Sequence, residues 1–231
     1  MLIHGLQKLT LLDFPGRVAA TLFTGGCNFR CPFCHNATLV EHPAEAPTYS
    51  EEEIFSFLTG RKGILDGVAI TGGEPLMNPD IRDFIKKIKE MGFAVKLDTN
   101  GAYPKRLSEL LDENLVDYVA MDVKNSREKY AETVGLAKFD LTPIEESVQI
   151  LLSSGIDFEF RTTVVKEFHT VEDIAKIADW IAGAEHYFLQ GFTDSGNLIG
   201  SNLHPYEKAV MQEMEAVARE KIPDAKLRGI S

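Results

Sequence analysis

The chain has 231 residues, of which 44% are hydrophobic and 26% charged, the balance of a soluble globular protein long enough for one ordinary core or two small ones. Its 24 basic against 35 acidic side chains give a net charge of −11, which argues against a nucleic-acid backbone as the main partner, a local basic patch aside. No apolar run approaches the ~20 residues needed to span a bilayer, and the opening Met1-Leu2-Ile3-His4-Gly5 lacks the basic-then-apolar grammar of a secretory signal, so a cytoplasmic protein with reduced thiols is expected.

Hydrophobic runs set against turn signals predict a repeated alternation of strand and helix. Residues 1–17 form an extension, and 18–24 (VAATLFT) the first strand, closing in Gly25-Gly26. Residues 51–58 read as a helix with Ser50 as N-cap. A second strand at 68–71 is followed by a helix at 81–91, with Gly92 placed as its C′ residue. Strand 94–98 leads to helix 107–113, which follows Pro104 at its start, and strand 116–123 leads to helix 144–152. Strand 158–165 precedes helix 171–181, strand 187–190 precedes helix 206–220, and 221–231 is left as a tail. The result is six strand–helix units in 18–220, read as a single domain over 1–231, with no low-complexity linker.

Alternating short apolar strands and amphipathic helices imply the α/β class, with a parallel sheet and right-handed crossovers. Periodicity leaves an open doubly wound sheet and an incomplete barrel both standing. In either, ligands gather at the carboxyl ends of the strands, and the unusual polar residues of this chain fall there. Strand one is followed by Cys27, Cys31 and Cys34, and strand two by Gly72-Gly73-Glu74-Pro75. Strand three ends in Asp98-Thr99-Asn100-Gly101 and strand four in Asp122-Val123-Lys124. Strand five carries Arg161 and strand six ends in Gln190. Each has an ordinary reading as well: a turn for the glycines, a cap or ion pair for the aspartates, a buried cation for Arg161.

The three cysteines are the only ones in the chain, spaced C-x3-C-x2-C, with Phe33 before the last and His35-Asn36 after it. Structural zinc would want a fourth ligand, and adjacent His35 or distant His42 would have to supply it. An odd number of cysteines does not suit disulfides. Three thiolates can instead hold three corners of a cubane iron–sulfur cluster and leave its fourth iron open, as catalysis requires.

This triplet, with Phe33, resembles the radical S-adenosylmethionine (SAM) enzymes, and Gly72-Gly73-Glu74-Pro75 resembles their GGEP motif. The resemblance implies a partial (β/α)6 TIM-like barrel, a [4Fe–4S] cluster on Cys27, Cys31 and Cys34, and SAM on the open iron. It implies that Gly72 and Gly73 bind the SAM amino group, that Glu74 supports that geometry as acceptor or backbone organiser, and that Asn36 touches the cofactor beside Phe33. Asp98 and the Asp122-x-Lys124 pair resemble motifs of glycyl-radical-enzyme activating enzymes. By that likeness Asp98 contacts the SAM amino group or ribose, Lys124 pairs with its carboxylate, and Asp98, Thr99 and Asp122 surround a monovalent cation. Arg161 suits a ribose or carboxylate, and Gln190 is the polar contact expected from the sixth strand.

The reaction so implied is reductive cleavage of SAM, giving a 5′-deoxyadenosyl radical that removes a hydrogen atom from a substrate. With no further cysteines, the electron comes from outside the chain, from a flavodoxin or ferredoxin. The stretch from Gly5 through Asn36 is similar to the activating proteins of anaerobic (class III) ribonucleoside-triphosphate reductase. That implies a glycyl radical enzyme as partner, with a glycine α-hydrogen as the atom removed. Activation of another such enzyme, for example pyruvate formate-lyase, a small-molecule enzyme of the 7-carboxy-7-deazaguanine synthase type, and a zinc-binding scaffold are the alternatives.

Overall fold

A computed structural model describes residues 1–230. The chain gathers into two compact units, the first from residues 1–28, 38–99 and 103–119, the second from residues 29–37, 100–102 and everything described from Ala120 onward.

In the first unit β1 (Gly5–Thr10) runs antiparallel to β2 (Ala19–Thr24), with Gly5 opposite Phe23 and the register shifting between Gln7 and Thr10. The turn between them is held by Thr10, whose Oγ1 accepts from the Leu12 and Asp13 amides at 3.1 and 3.2 Å. The short helix α1 (Ala37–Glu41) follows, and then α2 (Glu51–Thr59). Ser50 caps α2 as expected, in a full capping box: its Oγ accepts from the Glu53 amide at 3.2 Å and Glu53 accepts from the Ser50 amide at 2.7 Å. Next come β3 (Gly67–Gly72), α3 (Ile81–Glu90), β4 (Ala94–Thr99) and α4 (Pro104–Asp112). Gly92 stands at φ +92° just past α3, the left-handed position a C′ glycine fills. β3 pairs in parallel with β2 and with β4, and Ala20, Leu22, Val68, Ile70, Val95 and Leu97 are completely buried along these strands. Thr21, Ala69 and Lys96, which lie between them and point the other way, are buried too, so these strands are covered on both faces.

β5 (Tyr118–Asp122) begins in the first unit and ends in the second. After it come α5 (Tyr130–Thr133), α6 (Thr142–Ser153), β6 (Asp157–Val164), α7 (Val171–Trp180), β7 (Tyr187–Gly191), α8 (Lys208–Arg219) and β8 (Ala225–Arg228). β6, β7 and β8 are parallel neighbours, with Phe160 opposite Tyr187 and Tyr187 opposite Ala225. Within each unit the strand order follows the chain, β1 to β4 in the first and β6 to β8 in the second. No helix among the described residues is long and apolar enough to cross a membrane.

All six expected strands are present, their ends displaced by one or two residues. Two strands were not expected. β1 lies inside the 1–17 extension, and the stretch read as a tail, 221–231, contains β8. The tail assignment is therefore corrected. Four residues, Ala-Lys-Leu-Arg, are too few to display a period, and β8 exists because β7 offers it a parallel edge.

Replacing Ser50 by alanine should cost about 1 kcal/mol and lower the thermal midpoint by about 2–4 °C. Differential scanning calorimetry of Ser50→Ala checks this.

Candidate active site

The second glycine pair of the chain is defined by what it touches. Where β2 and β3 end together, Thr24 lies opposite Gly72. The Gly73 amide donates to the Thr24 carbonyl at 2.9 Å, the Glu74 amide to the Gly26 carbonyl at 2.8 Å, and Thr24 Oγ1 to the Thr71 carbonyl at 3.0 Å. A Cβ on Gly73 would lie 1.8 Å from the Gly26 carbonyl oxygen, and one on Gly72, at φ +111°, 2.4 Å from the Thr24 main chain. Neither position leaves room for a side chain, so main chain packs directly on main chain here. What the two glycines approach is the backbone leading into Cys27, whose own root is held by the Gly26 amide donating to the Leu39 carbonyl at 2.8 Å.

Glu74 is completely buried, and one of its oxygens accepts from both the Leu76 amide and Thr99 Oγ1 at 2.9 Å. It thus ties the Gly72–Pro75 loop to the end of β4. Beside Thr99, Asp98 pairs with Lys96, a lysine only 2% exposed that also lies 5.9 Å from the Tyr118 ring centroid. Sequence reading passed over Lys96. Its signal is a cation in the middle of an otherwise apolar strand, Ala-Val-Lys-Leu-Asp. Tyr103 was also passed over; burial first, and then the charges of Glu74 and Cys27, push its hydroxyl pKa up.

The second unit holds Cys31, Phe33, Cys34, His35 and Asn36 with Asp122, Lys124, Arg161 and Gln190. Cys31 is buried and Cys34 half-buried, and neither they nor Cys27 form a disulfide; the Cys34 amide donates to the Cys31 carbonyl at 3.0 Å. Phe33 is buried against Phe168, ring centroids 5.7 Å apart, and edge-on to His169 at 6.3 Å. Asn36 is half-buried, and exposed His35 stacks on Phe192.

Asp122 is shared between two cations. Lys124 Nζ donates to one carboxylate oxygen and Arg161 Nε to the other, both at 2.9 Å. Burial opposes the charge on Asp122, but Arg161 and Lys124 outweigh it and hold the carboxyl down to about 2. Burial likewise opposes the charge on Lys124, and Asp122 together with the nearby Cys31 thiolate outweighs it, so the pKa of its ammonium rises. The group carries a net positive charge beside a cysteine, and a carboxylate brought to Cys31 would find that charge waiting.

His169 anchors Lys124 from behind. It is completely buried; its Nδ1 accepts from the Val165 amide at 3.1 Å and its Nε2 lies 2.8 Å from the Lys124 carbonyl, to which it donates. Burial lowers its pKa, so the ring stays neutral in this tautomer. Gln190 is half-buried on β7, in register with Thr163 and Arg228.

Three cysteines outside any disulfide, with no fourth in the sequence, and a positively charged group beside Cys31 fit an iron–sulfur cluster with an amino-acid ligand on its open iron. Among the described residues no three His, Cys, Asp or Glu side chains converge as ligands of one ion. A cubane asks for no such convergence, since its thiolates sit on different irons.

Comparisons with known proteins agree with this chemistry. Residues 21–181 match the Radical SAM superfamily. The chain is 31% identical, over 100% of its own length and 97% of the relative's, to a Methanocaldococcus jannaschii protein assigned as a glycyl-radical enzyme activating enzyme. It is 26% identical to the pyruvate formate-lyase 1-activating enzyme of Escherichia coli K12, over 94% of this chain and 85% of that one. Among solved structures, Streptococcus suis SuiB bound to S-adenosylmethionine shares the fold at a TM-score of 0.70 and 15% identity, over 90% of this chain. The chain spans about half the length of SuiB, 52%.

Gly73→Ala should cost about 1–3 kcal/mol in urea denaturation and lower the iron held after anaerobic reconstitution. Gly155→Ala, at a position with nothing within 4 Å, should stay within about 0.5 kcal/mol of the parent. A second expectation concerns pH. Because the His169 pKa is lowered on folding, the unfolded chain takes up the proton first, so its contribution is full above about 6.5 and declines as pH falls below that. His169→Asn should therefore lower stability at pH 7.5 and flatten the decline between pH 7 and 5.5, read from urea midpoints.

Proposed function

Since the chain belongs to the radical SAM superfamily, we propose that it is the activating enzyme of a glycyl radical enzyme, with anaerobic ribonucleoside-triphosphate reductase as the favoured partner. The observation that carries the activating role is the full-length likeness to an activating enzyme, 100% of this chain against 97% of that one. The choice of reductase rests on the opening stretch, Gly5 through Asn36. Pyruvate formate-lyase is the second reading, favoured by the likeness to its activating enzyme over 94% of this chain.

In this reading Cys27, Cys31 and Cys34 hold a [4Fe–4S] cluster and SAM occupies the remaining iron. When bound, the two supply one-electron cleavage of a sulfonium and a radical able to take a hydrogen atom from a glycine α-carbon. The protein's part is to bind, orient and exclude water. Lys124, kept charged by Asp122, receives the SAM carboxylate, and Arg161, on the other oxygen of Asp122, contributes the second positive charge. The Gly72–Gly73 main chain and Asp98 receive the ammonium, Glu74 keeps that loop in place, and Phe33, Asn36 and Gln190 complete the contacts. Asp98, Thr99 and Asp122 are the oxygen donors proposed for a monovalent cation. A flavodoxin or ferredoxin delivers the electron, because the three thiols are all the cysteine the chain has.

Reconstituted protein mixed anaerobically with SAM, a one-electron reductant and the reductase should give the glycyl doublet in electron paramagnetic resonance. A doublet with pyruvate formate-lyase alone would move the assignment to that partner, and SAM cleavage with neither would point to a small-molecule substrate. Cys31→Ala should abolish SAM cleavage; cleavage retained in that variant would remove Cys31 from the ligand set.

A further inference from the structure

The connection from β7 to α8, residues 192–207, has no regular secondary structure, and connections of more than about 12–15 such residues in compact domains are usually functional. This one is fastened at its start, middle and end. At its start Phe192, 3% exposed, stacks on His35, with ring centroids 5.7 Å apart and planes 19° apart. At its middle the Gly200 amide donates to the Pro32 carbonyl at 2.7 Å. At its end the Lys166 amide donates to the His204 carbonyl at 3.0 Å, Glu167 takes the His204 amide and ring, and Tyr206 donates its hydroxyl to the His169 carbonyl at 2.7 Å.

Two of these fastenings fall on the cysteine loop itself. Pro32 follows Cys31 and His35 follows Cys34, so each fastening adjoins one of the two thiols of this unit. The approach at Pro32 leaves no room for a side chain: a Cβ on Gly200 would lie 2.7 Å from the Pro32 Cβ and 3.2 Å from its Cα. Proline cannot swing its ring aside as a long side chain would, so the contact is lost or the loop moves. The rest of the connection stiffens itself, with Asp194 accepting from the Gly196 amide at 2.8 Å.

We propose that residues 192–207 form a strap that positions the Cys31–Cys34 stretch, with Gly200 and the His35–Phe192 stack as its fastenings. The chain needs it because a loop carrying metal ligands has little secondary structure of its own to hold thiolate geometry. Gly200, His35 and Phe192 are positioning residues, acting through Pro32 and the backbone on either side of Cys34. What the strap positions rests on the cluster reading; that the strap exists does not.

Hydrogen exchange followed by mass spectrometry on the metal-free full chain tests it. Gly200→Ala and His35→Ala should each raise exchange of amides 31 and 33–36 about fivefold, the ratio expected when one ordinary contact is lost. His35→Phe, which keeps a ring on Phe192, should restore parental rates. A rise below twofold in both alanine variants, or the same rise in His35→Phe, would overturn the proposal. Should Gly200→Ala fail to fold, the His35 pair decides. In the reconstituted protein the alanine variants should lose cluster absorbance in air faster than the parent. A parent that never takes up iron defeats the cluster reading and leaves the exchange result to judge the strap.

Discussion

Backbone meets backbone at the ends of β2 and β3 with no side chain between. The amides of Gly73 and Glu74 reach the carbonyls of Thr24 and Gly26, and no Cβ fits at Gly72 or Gly73. Most of what the first unit contributes to the site depends on this contact. It fixes the direction in which the chain leaves β2 toward Cys27, and it sets the Gly72–Pro75 loop at the depth where Glu74 is buried and can reach Thr99. A loop with so little regular structure gains little from local propensity, so its geometry has to be borrowed from a rigid neighbour. Here the lender is a parallel strand pair with an apolar, fully covered interior.

The charged residues of the site are arranged on a similar plan: each is given a partner inside the protein before any ligand arrives. Lys96 neutralises Asp98, and Asp122 is divided between Lys124 and Arg161. Breaking a part-buried pair leaves an uncompensated charge, which costs more than the pair contributes. The positive excess around Asp122 is therefore stable in place, able to accept a carboxylate without reorganising. His169 adds a neutral anchor to the Lys124 main chain, and its ring tautomer is set by two backbone groups.

Much of this is legible in the sequence, for reasons that can be traced to particular residues. The buried parallel strands announce themselves as apolar runs between turn residues, and Ser50 and Gly92 mark helix ends by chemistry that acts within a few residues. The cysteine spacing and the Gly-Gly-Glu-Pro loop are equally local. What escapes is decided at long range. β1 and β8 owe their existence to neighbours far along the chain. Lys96 and His169 look like surface residues by type, and only the tertiary structure reveals that each is buried against a partner. The steric meaning of Gly73 is invisible without Gly26, 47 positions earlier in the loop that leaves β2.

β1 pairs with β2 and β8 with β7, each at the margin of its own unit's strands, and a marginal strand is an invitation to another chain's unpaired backbone. Both are unattractive to such a guest. β1 carries Lys8 and breaks its register between Gln7 and Thr10, while β8 is four residues long and bears Lys226 and Arg228. Arg228 is further committed to Glu159 by two hydrogen bonds at 2.7 and 2.8 Å and lies over the Phe188 ring. The short flanking strands, which add no residue to the proposed cofactor contacts, thus guard the sheet against edge-to-edge aggregation.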